Sequence, residues 1–292
     1  MNVKRKVAAV GAFLVLAGLL ALAQSTASCT YTTFQYPGST GTTATGINDY
    51  NTVVGYTAVN GALVGFIRWA NGTFTRVNVP GASRTRLFGR NNNGVSVGEF
   101  LDAQGVHGFL LNSSGYHTVN YLSASGTELL GINNYNSSVG DVRTTNAQYG
   151  LKRWSNGSFI KIQYPNANAT QINGINDSGV MVGVSGVDAG PGTMVAFALI
   201  NGNFQQITDP AAPNLSTWVS GINDNQLIVG TGYSGNPPRN SHGFFVVNGQ
   251  VKEMPTPSGA SSLQANGINK GGLIVGTGTF SGTQKGFIAK CK

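Results

Sequence analysis

The sequence predicts an all-β fold, and three observations carry that prediction. After Pro37 the longest stretch free of Gly and Pro is ten residues, Tyr116–Ser125, and its pattern is β-branched and aromatic rather than helical. Gly, Asn, Ser and Thr abound while only 10% of residues are charged, a composition suited to short strands joined by tight turns. One short pattern also returns six times along the chain.

In chain order, the first element is a targeting segment. Lys4, Arg5 and Lys6 form a basic flank, Val7 to Leu22 is small and apolar throughout, and Ala21-Leu22-Ala23 offers a small-x-small cleavage pattern. Residues 1–23 therefore read as a signal peptide, with a later cut possible up to residue 28. The alternative is a membrane anchor, since the apolar run approaches bilayer length. The short basic flank and the Ala-x-Ala exit favour cleavage. No later segment is apolar enough to cross a membrane, so residues 24–292 are expected to form a single soluble domain without stable membrane insertion.

The repeat then organises the rest. A Gly-Ile-Asn-Asp motif or a close variant starts at Gly46, Gly89, Gly131, Gly174, Gly221 and Gly267, at spacings of 42 to 47 residues. Each copy runs into a strand containing Val-Gly, such as Val53-Val54-Gly55 or Val182-Gly183. A third strand centres on Gly-Phe or a relative of it (Gly65-Phe66, Gly108-Phe109, Gly150-Leu151, Ala196-Phe197, Gly243-Phe244, Gly286-Phe287). Turns such as Asn71-Gly72, Asn156-Gly157, Asn201-Gly202 and Asn248-Gly249 follow, a strong hairpin signal because both residues tolerate positive φ. A fourth strand ends near proline, as in Val77-Asn78-Val79-Pro80 and Ile162-Gln163-Tyr164-Pro165. Four strands in about 43 residues is the size of a propeller blade, so the expected architecture is a six-bladed β-propeller with four antiparallel strands per blade.

The two ends decide between an open stack and a ring. The last repeat stops after its third strand, Gly286-Phe287-Ile288-Ala289-Lys290, while the chain opens with an orphan fourth strand, Thr30 to Pro37. Together they complete the sixth blade, so the N-terminal strand closes the ring. Aligned on the repeat, Cys29 and Cys291 flank a tight turn and should pair as a disulfide. The rival reading lipidates Cys29, which follows Thr26-Ala27-Ser28, although a lipobox prefers Leu where Thr26 stands.

The repeated Gly-Ile-Asn-Asp-x-Gly-x-x-Val-Gly followed by a His-x-Phe-like strand resembles the HAF family of extracellular bacterial repeat proteins, over residues 30 to 290. His107-Gly108-Phe109 and His242-Gly243-Phe244 come nearest the name-giving tripeptide, with Gly in place of Ala; the other four copies lack the His. The resemblance implies an extracytoplasmic location, secreted or periplasmic, and a repeat architecture. It adds almost nothing on chemistry.

Composition excludes several functions. The formal charge of +8 falls to +5 once residues 1–23 are removed, and the arginines are scattered, so nucleic acid is not an expected partner. The sequence contains no nucleophile elbow, phosphate loop or zinc spacing, so neither a cofactor nor a metal is expected. Asp49, Asp177 and Asp224 share one repeat position and read as turn residues bonding their own backbone. His107 and His242 read as strand-packing residues, His117 has no ligand cluster, and Trp69 and Trp154 as covers of a blade edge. The loops joining second to third strands, and blade to blade, vary in length and lie on one face. That face is expected to bind, since variation on a rigid scaffold is where binding lives. Its candidate contacts are Trp218, Tyr233, Arg239, Arg84, Arg86, Arg143 and Asp188, with Trp218 set to stack on a sugar ring or to plug the core.

Function then ranks as a monomeric binding module for a glycan or extracellular peptide, next a structural surface protein, and last a hydrolase or lyase. Glu99, Asp102, Glu128, Asp141 and Asp188 are present, but they read as scattered over different blades with no motif to pair them. Carboxylates brought together by the fold would favour an enzyme, and an aromatic shelf without acids would favour glycan binding.

Overall fold

A computed structural model of the chain describes residues 27–122, 124–186, 194–211, 217–234 and 240–292. Residues 1–23, the expected signal peptide, lie outside them. Among the described residues the regular elements are strands, and no helix is long and apolar enough to cross a membrane.

Each repeat folds as an antiparallel meander. The first runs Thr42–Ile47, Val53–Val59, Ala62–Arg68 and Phe74–Val77. The next three meanders open with Arg84–Arg90, Gly126–Ile132 and Thr170–Ile175, and the fifth with Thr217–Ile222. At the end of the chain, Ala260–Ile268, Leu273–Phe280 and Thr283–Cys291 take the N-terminal strand Cys29–Phe34 as their fourth member. Strand sharing across the two ends thus occurs as the sequence requires. Single parallel bridges, Leu63 with Arg84 and Val106 with Gly126, join the first three meanders into one twelve-stranded sheet.

The repeat residues have distinct mechanical roles. Phe66, Phe109, Leu151, Phe197, Phe244 and Phe287 are fully buried between neighbouring meanders. In the five repeats with a phenylalanine, the glycine of the Val-Gly pair makes room for its ring: a Cβ on Gly55 would stand 2.0 Å from the Thr43 carbonyl and 2.7 Å from the Phe66 ring. The motif glycines pack on one another, Gly46 on Gly89, Gly89 on Gly131, and so on to Gly267 on Gly46, with an added Cβ meeting the next repeat's backbone at 3.5 Å or less in each case.

Asparagine links the same repeats. Asn48 Nδ2 donates to the Asn91 carbonyl, Asn91 to Asn133, Asn133 to Asn176, Asn176 to Asn223, Asn223 to Asn269, and Asn269 back to Asn48. Each Oδ1 meanwhile accepts amides of its own turn, as Asn48 Oδ1 does from Tyr50 and Thr52. The turn carboxylates behave otherwise than expected: Asp49, Asp177 and Asp224 accept the backbone N–H of a neighbouring repeat, Lys270, Asn134 and Asp177 respectively. The preceding Asn already closes the local turn, which frees the Asp for its neighbour.

The second-to-third connections are short in the first two meanders: Ala58 and Leu63 are strand residues around the two-residue turn Asn60-Gly61, both at positive φ. Likewise Phe100–Asp102 and Gly105–Val106 are strand. Asn201 and Asn248 adopt the expected positive φ with their glycines, whereas only the glycine does so at Asn71-Gly72 and Asn156-Gly157, where the Asn side chain caps the turn instead. Cys29 and Cys291 face one another in register and are disulfide-bonded across 262 residues. This sulfur is therefore committed to the bridge, not to a lipid.

Candidate functional site

Side chains alternate along a strand, so the residues three and one before each motif glycine share a face of their strand. On the first strands these are Thr43 and Thr45, Arg86 and Phe88, Glu128 and Leu130, Gln171 and Asn173, Trp218 and Ser220, Gln264 and Asn266. A cavity of about 290 Å³ opens among them, lined by Trp218, Gln171, Asn173, Gln264, Asn266 and Tyr56 together with the hydroxyl and apolar members of the set. On the turn side a smaller hollow of about 70 Å³ is framed by the six motif Asn residues and their neighbours.

Trp218 lies within the strand Thr217–Ile222 rather than on a loop. Its indole is partly buried, packed against the cluster that holds Val182, Val184 and Val219, while it also lines the cavity. The core-packing role considered for it is therefore seen, and its remaining surface faces the cavity. Tyr233, on the strand Ile228–Ser234, accepts a hydrogen bond at 3.5 Å from Nε2 of Gln264, which lines the same cavity. Asp188 and Arg239 lie outside the described residues.

Arg84 and Arg86 also sit on a first strand, Arg84–Arg90, not on a blade-to-blade loop, because Arg84 to Leu101 and Arg86 to Glu99 are strand partners. Glu99 is wholly buried and receives Arg84 Nε at 3.0 Å and Arg86 Nε at 2.5 Å. These cations are satisfied internally and are less free for a ligand than the sequence suggested. Burial works against the Arg86 charge, but the hydrogen bond and charge of Glu99 outweigh it and raise its pKa. The same guanidinium lies over the rings of Tyr56 and Phe88, at 5.5 and 5.3 Å, and so buttresses two walls of the cavity.

Two of the acids stand together. Glu128 and Asp141 belong to one meander and are directly opposed in register, which puts their Cβ atoms about 4.5–5.5 Å apart. Sequence reading missed this because strand partners thirteen residues apart leave no local motif. Arg143, half-exposed, reaches Glu128 at 3.1 Å and Asp141 at 3.6 Å. Asp141 is completely buried and neither carboxyl oxygen has a hydrogen-bond partner. Burial, with the Glu128 charge beside it, pushes its pKa up to about 7, and burial raises Glu128 as well. Asp141 therefore holds a proton in mildly acidic solution and can donate a hydrogen bond there.

The remaining candidates are peripheral. His107 bonds Asp102 and Asn120, at 3.0 and 2.9 Å, and stacks near Phe100. Trp69 and Trp154 are exposed, under Arg90 and Lys152 respectively.

No family model and no curated protein sequence matches the chain. Solved structures do. The streptogramin B lyase structure aligns over 90% of this chain and 98% of that one, with a TM-score of 0.52 at 11% identity. The fold is propeller-like. A catalytically inactive virginiamycin B lyase from Staphylococcus aureus with quinupristin aligns over 89% and 99%, at 0.51 and 11% identity. A triple arginine-to-alanine mutant of AofleA from Arthrobotrys oligospora covers 88% and 85%, at 0.52 and 14% identity. At such identities the likeness concerns the fold alone.

Proposed function

We propose that the protein is an extracytoplasmic binding propeller of the HAF kind, six-bladed and closed into a ring, which holds a neutral glycan in the axial cavity against Trp218. The observation that carries this reading is the cavity itself. An indole and a tyrosine stand among the amides of Gln171, Asn173, Gln264 and Asn266, and among the described residues no charged side chain lines it. Apolar ring faces with converging amide donors and acceptors suit a sugar, whose ring offers C–H faces and hydroxyl edges. Its volume, just below the ~300–1,000 Å³ usual for small-ligand pockets, suits one short saccharide.

Closure into six blades is supported by the asparagine and glycine contacts that run from the sixth repeat back to the first, and by the Cys29–Cys291 bond, which fits an oxidising compartment. The ligand site moves, relative to the sequence reading, from the loops to the first strands. The test is a glycan array probed with the wild-type protein and a Trp218→Ala variant. Wild-type binding that weakens at least about tenfold in the variant, about 1.4 kcal/mol, is expected. Failure of the wild-type protein to bind any glycan overturns the reading.

One observation favours a second reading, a glycan-cleaving enzyme: Glu128 and Asp141 are opposed, and Asp141 keeps its proton near neutrality. Release of reducing ends from a bound glycan, lost in Glu128→Gln, would select it.

A further inference from the structure

A second cluster lies apart from the cavity, where the end of the fourth meander meets the fifth. Asp209 follows the strand Asn203–Ile207, His242 is on Asn240–Val247, and Glu253 ends Gln250–Glu253. One donor atom from each lies within 4.8 Å of the other two. Asp209 is wholly buried, His242 and Glu253 partly so. Asp209 Oδ1 accepts the Ala211 N–H at 3.0 Å, which fixes the carboxylate, while Oδ2 faces His242 Nε2 at 2.7 Å.

Comparison between repeats shows that this cluster is built against the repeat pattern. In five repeats the amide at the end of the fourth strand donates to a threonine opening the next first strand; the donors belong to Tyr36, Val79, Tyr121, Tyr164 and Asp209. Only the fifth is charged, and it is buried where its equivalents are aromatic or aliphatic. Opposite the same threonine the other repeats carry Thr57, Phe100, Val142 and Ser185, but here it is Gly232. A Cβ on Gly232 would come within 2.2 Å of Asp209 Oδ2 and 2.3 Å of His242 Nε2. The position paired with Phe244 is Glu253, where other repeats have Arg76, Thr118, Lys161 and Gln206. A buried carboxylate is costly unless something compensates it, and three linked departures converge on one point.

We propose that Asp209, His242 and Glu253 form a binding site for a divalent transition-metal ion of the zinc class. One imidazole nitrogen and two carboxylate oxygens are a zinc-type donor set, and three protein ligands leave a position open. Bonds of about 2.0–2.2 Å put tetrahedral ligands ~3.3 Å apart, so the donors need only a small inward rotation, which the partly exposed Glu253 can supply. The ion replaces the proton now bridging Asp209 and His242. The imidazole selects against Mg²⁺ and Ca²⁺, which prefer all-oxygen sites. Sequence spacing hides the set, because its members stand at 209, 242 and 253.

The test is calorimetric titration of the untagged, chelator-treated protein with ZnCl₂, with MgCl₂ in a parallel run. One Zn²⁺ per chain, released protons and a raised Tm are expected. His242→Gln and Glu253→Gln should each weaken Zn²⁺ by about tenfold or more, and His107→Gln, in the equivalent position of the second repeat, should not. Glu253→Gln keeps the buried pair intact and so remains informative if changes at Asp209 prevent folding. Absence of Zn²⁺ binding, equal uptake of Mg²⁺, unchanged affinity in both variants, or loss of binding in His107→Gln each overturns the proposal.

Discussion

At the scale of single residues, the side chains that break the repeat carry the chemistry. Asp141 occupies a position held by Tyr56, Glu99, Val184, Thr231 and Thr277 in the other repeats, and it is completely buried with Arg143 3.6 Å from Oδ2. Its raised pKa has a consequence for stability. Between about pH 4 and pH 7 the folded chain keeps the Asp141 proton while the unfolded chain has lost it, so the native state binds more protons. Stability from this group therefore falls as pH rises through that interval and levels off above it. Glu128 acts in the same direction, while Arg143, on the same strand, moderates both. Asp141→Asn removes the ionisation without changing size. Urea denaturation should show the variant more stable than wild type at pH 8, by about 1 kcal/mol or more, with the gap closing by pH 5. A constant difference at both values would mean that Asp141 is ionised throughout.

At the scale of elements, the Asn turns join each meander to the next, and their contribution can be measured one at a time. Asn133 is buried; its Oδ1 closes its own turn on Tyr135 and Ser137, and its Nδ2 crosses to the Asn176 carbonyl. Asn133→Ala deletes all three bonds and strands buried backbone groups, a loss of about 2–4 kcal/mol. Asn133→Asp keeps the turn bonds but sets a carboxylate against a carbonyl, so it should also destabilise, and more at neutral pH than at pH 3.5. Melts of the two variants with intact strand content would separate the turn from the link between meanders. These elements were legible in the sequence because each depends on a local pattern: Asn-Gly turns, Val-Gly spacers, buried Gly-Phe rings. The cavity was legible only in part. Trp218 stood out as the one tryptophan outside the repeat, yet Arg84 and Arg86 were read as loop residues because a first strand rich in Arg and Thr lacks an apolar signature. Glu128 and Asp141 meet through strand register, and Asp209, His242 and Glu253 through packing, neither of which leaves a mark at short spacing.

At the scale of the whole molecule, one seam holds the two ends together. Cys29–Phe34 pairs along its length with Thr283–Cys291, the Lys292 amide donates to the Ser28 carbonyl, and Tyr31 sends its hydroxyl to the Pro255 carbonyl in the neighbouring meander. Phe34 reaches onward to the ring of Phe66 in the first meander. The N-terminal strand therefore touches the repeats on both sides of the seam, and its loss would open the contact between last and first. The disulfide prevents that loss by constraining the unfolded chain over 262 residues, which gives an upper bound of about 5 kcal/mol on chain-entropy grounds. Replacing both cysteines with serine should lower Tm by roughly 5–15 °C if about 2–4 kcal/mol of that is realised. The loss should appear first at the seam. Hydrogen exchange in the double-serine protein should quicken over Cys29–Phe34 and Thr283–Cys291 while the third and fourth meanders, Gly126–Ile207, stay protected. If exchange quickens evenly over all repeats instead, the chain unfolds as one cooperative unit and the seam is no weaker than any other contact between meanders. If neither Tm nor exchange changes, the strand pairing and the Tyr31 and Phe34 contacts hold the N-terminal strand without the bond.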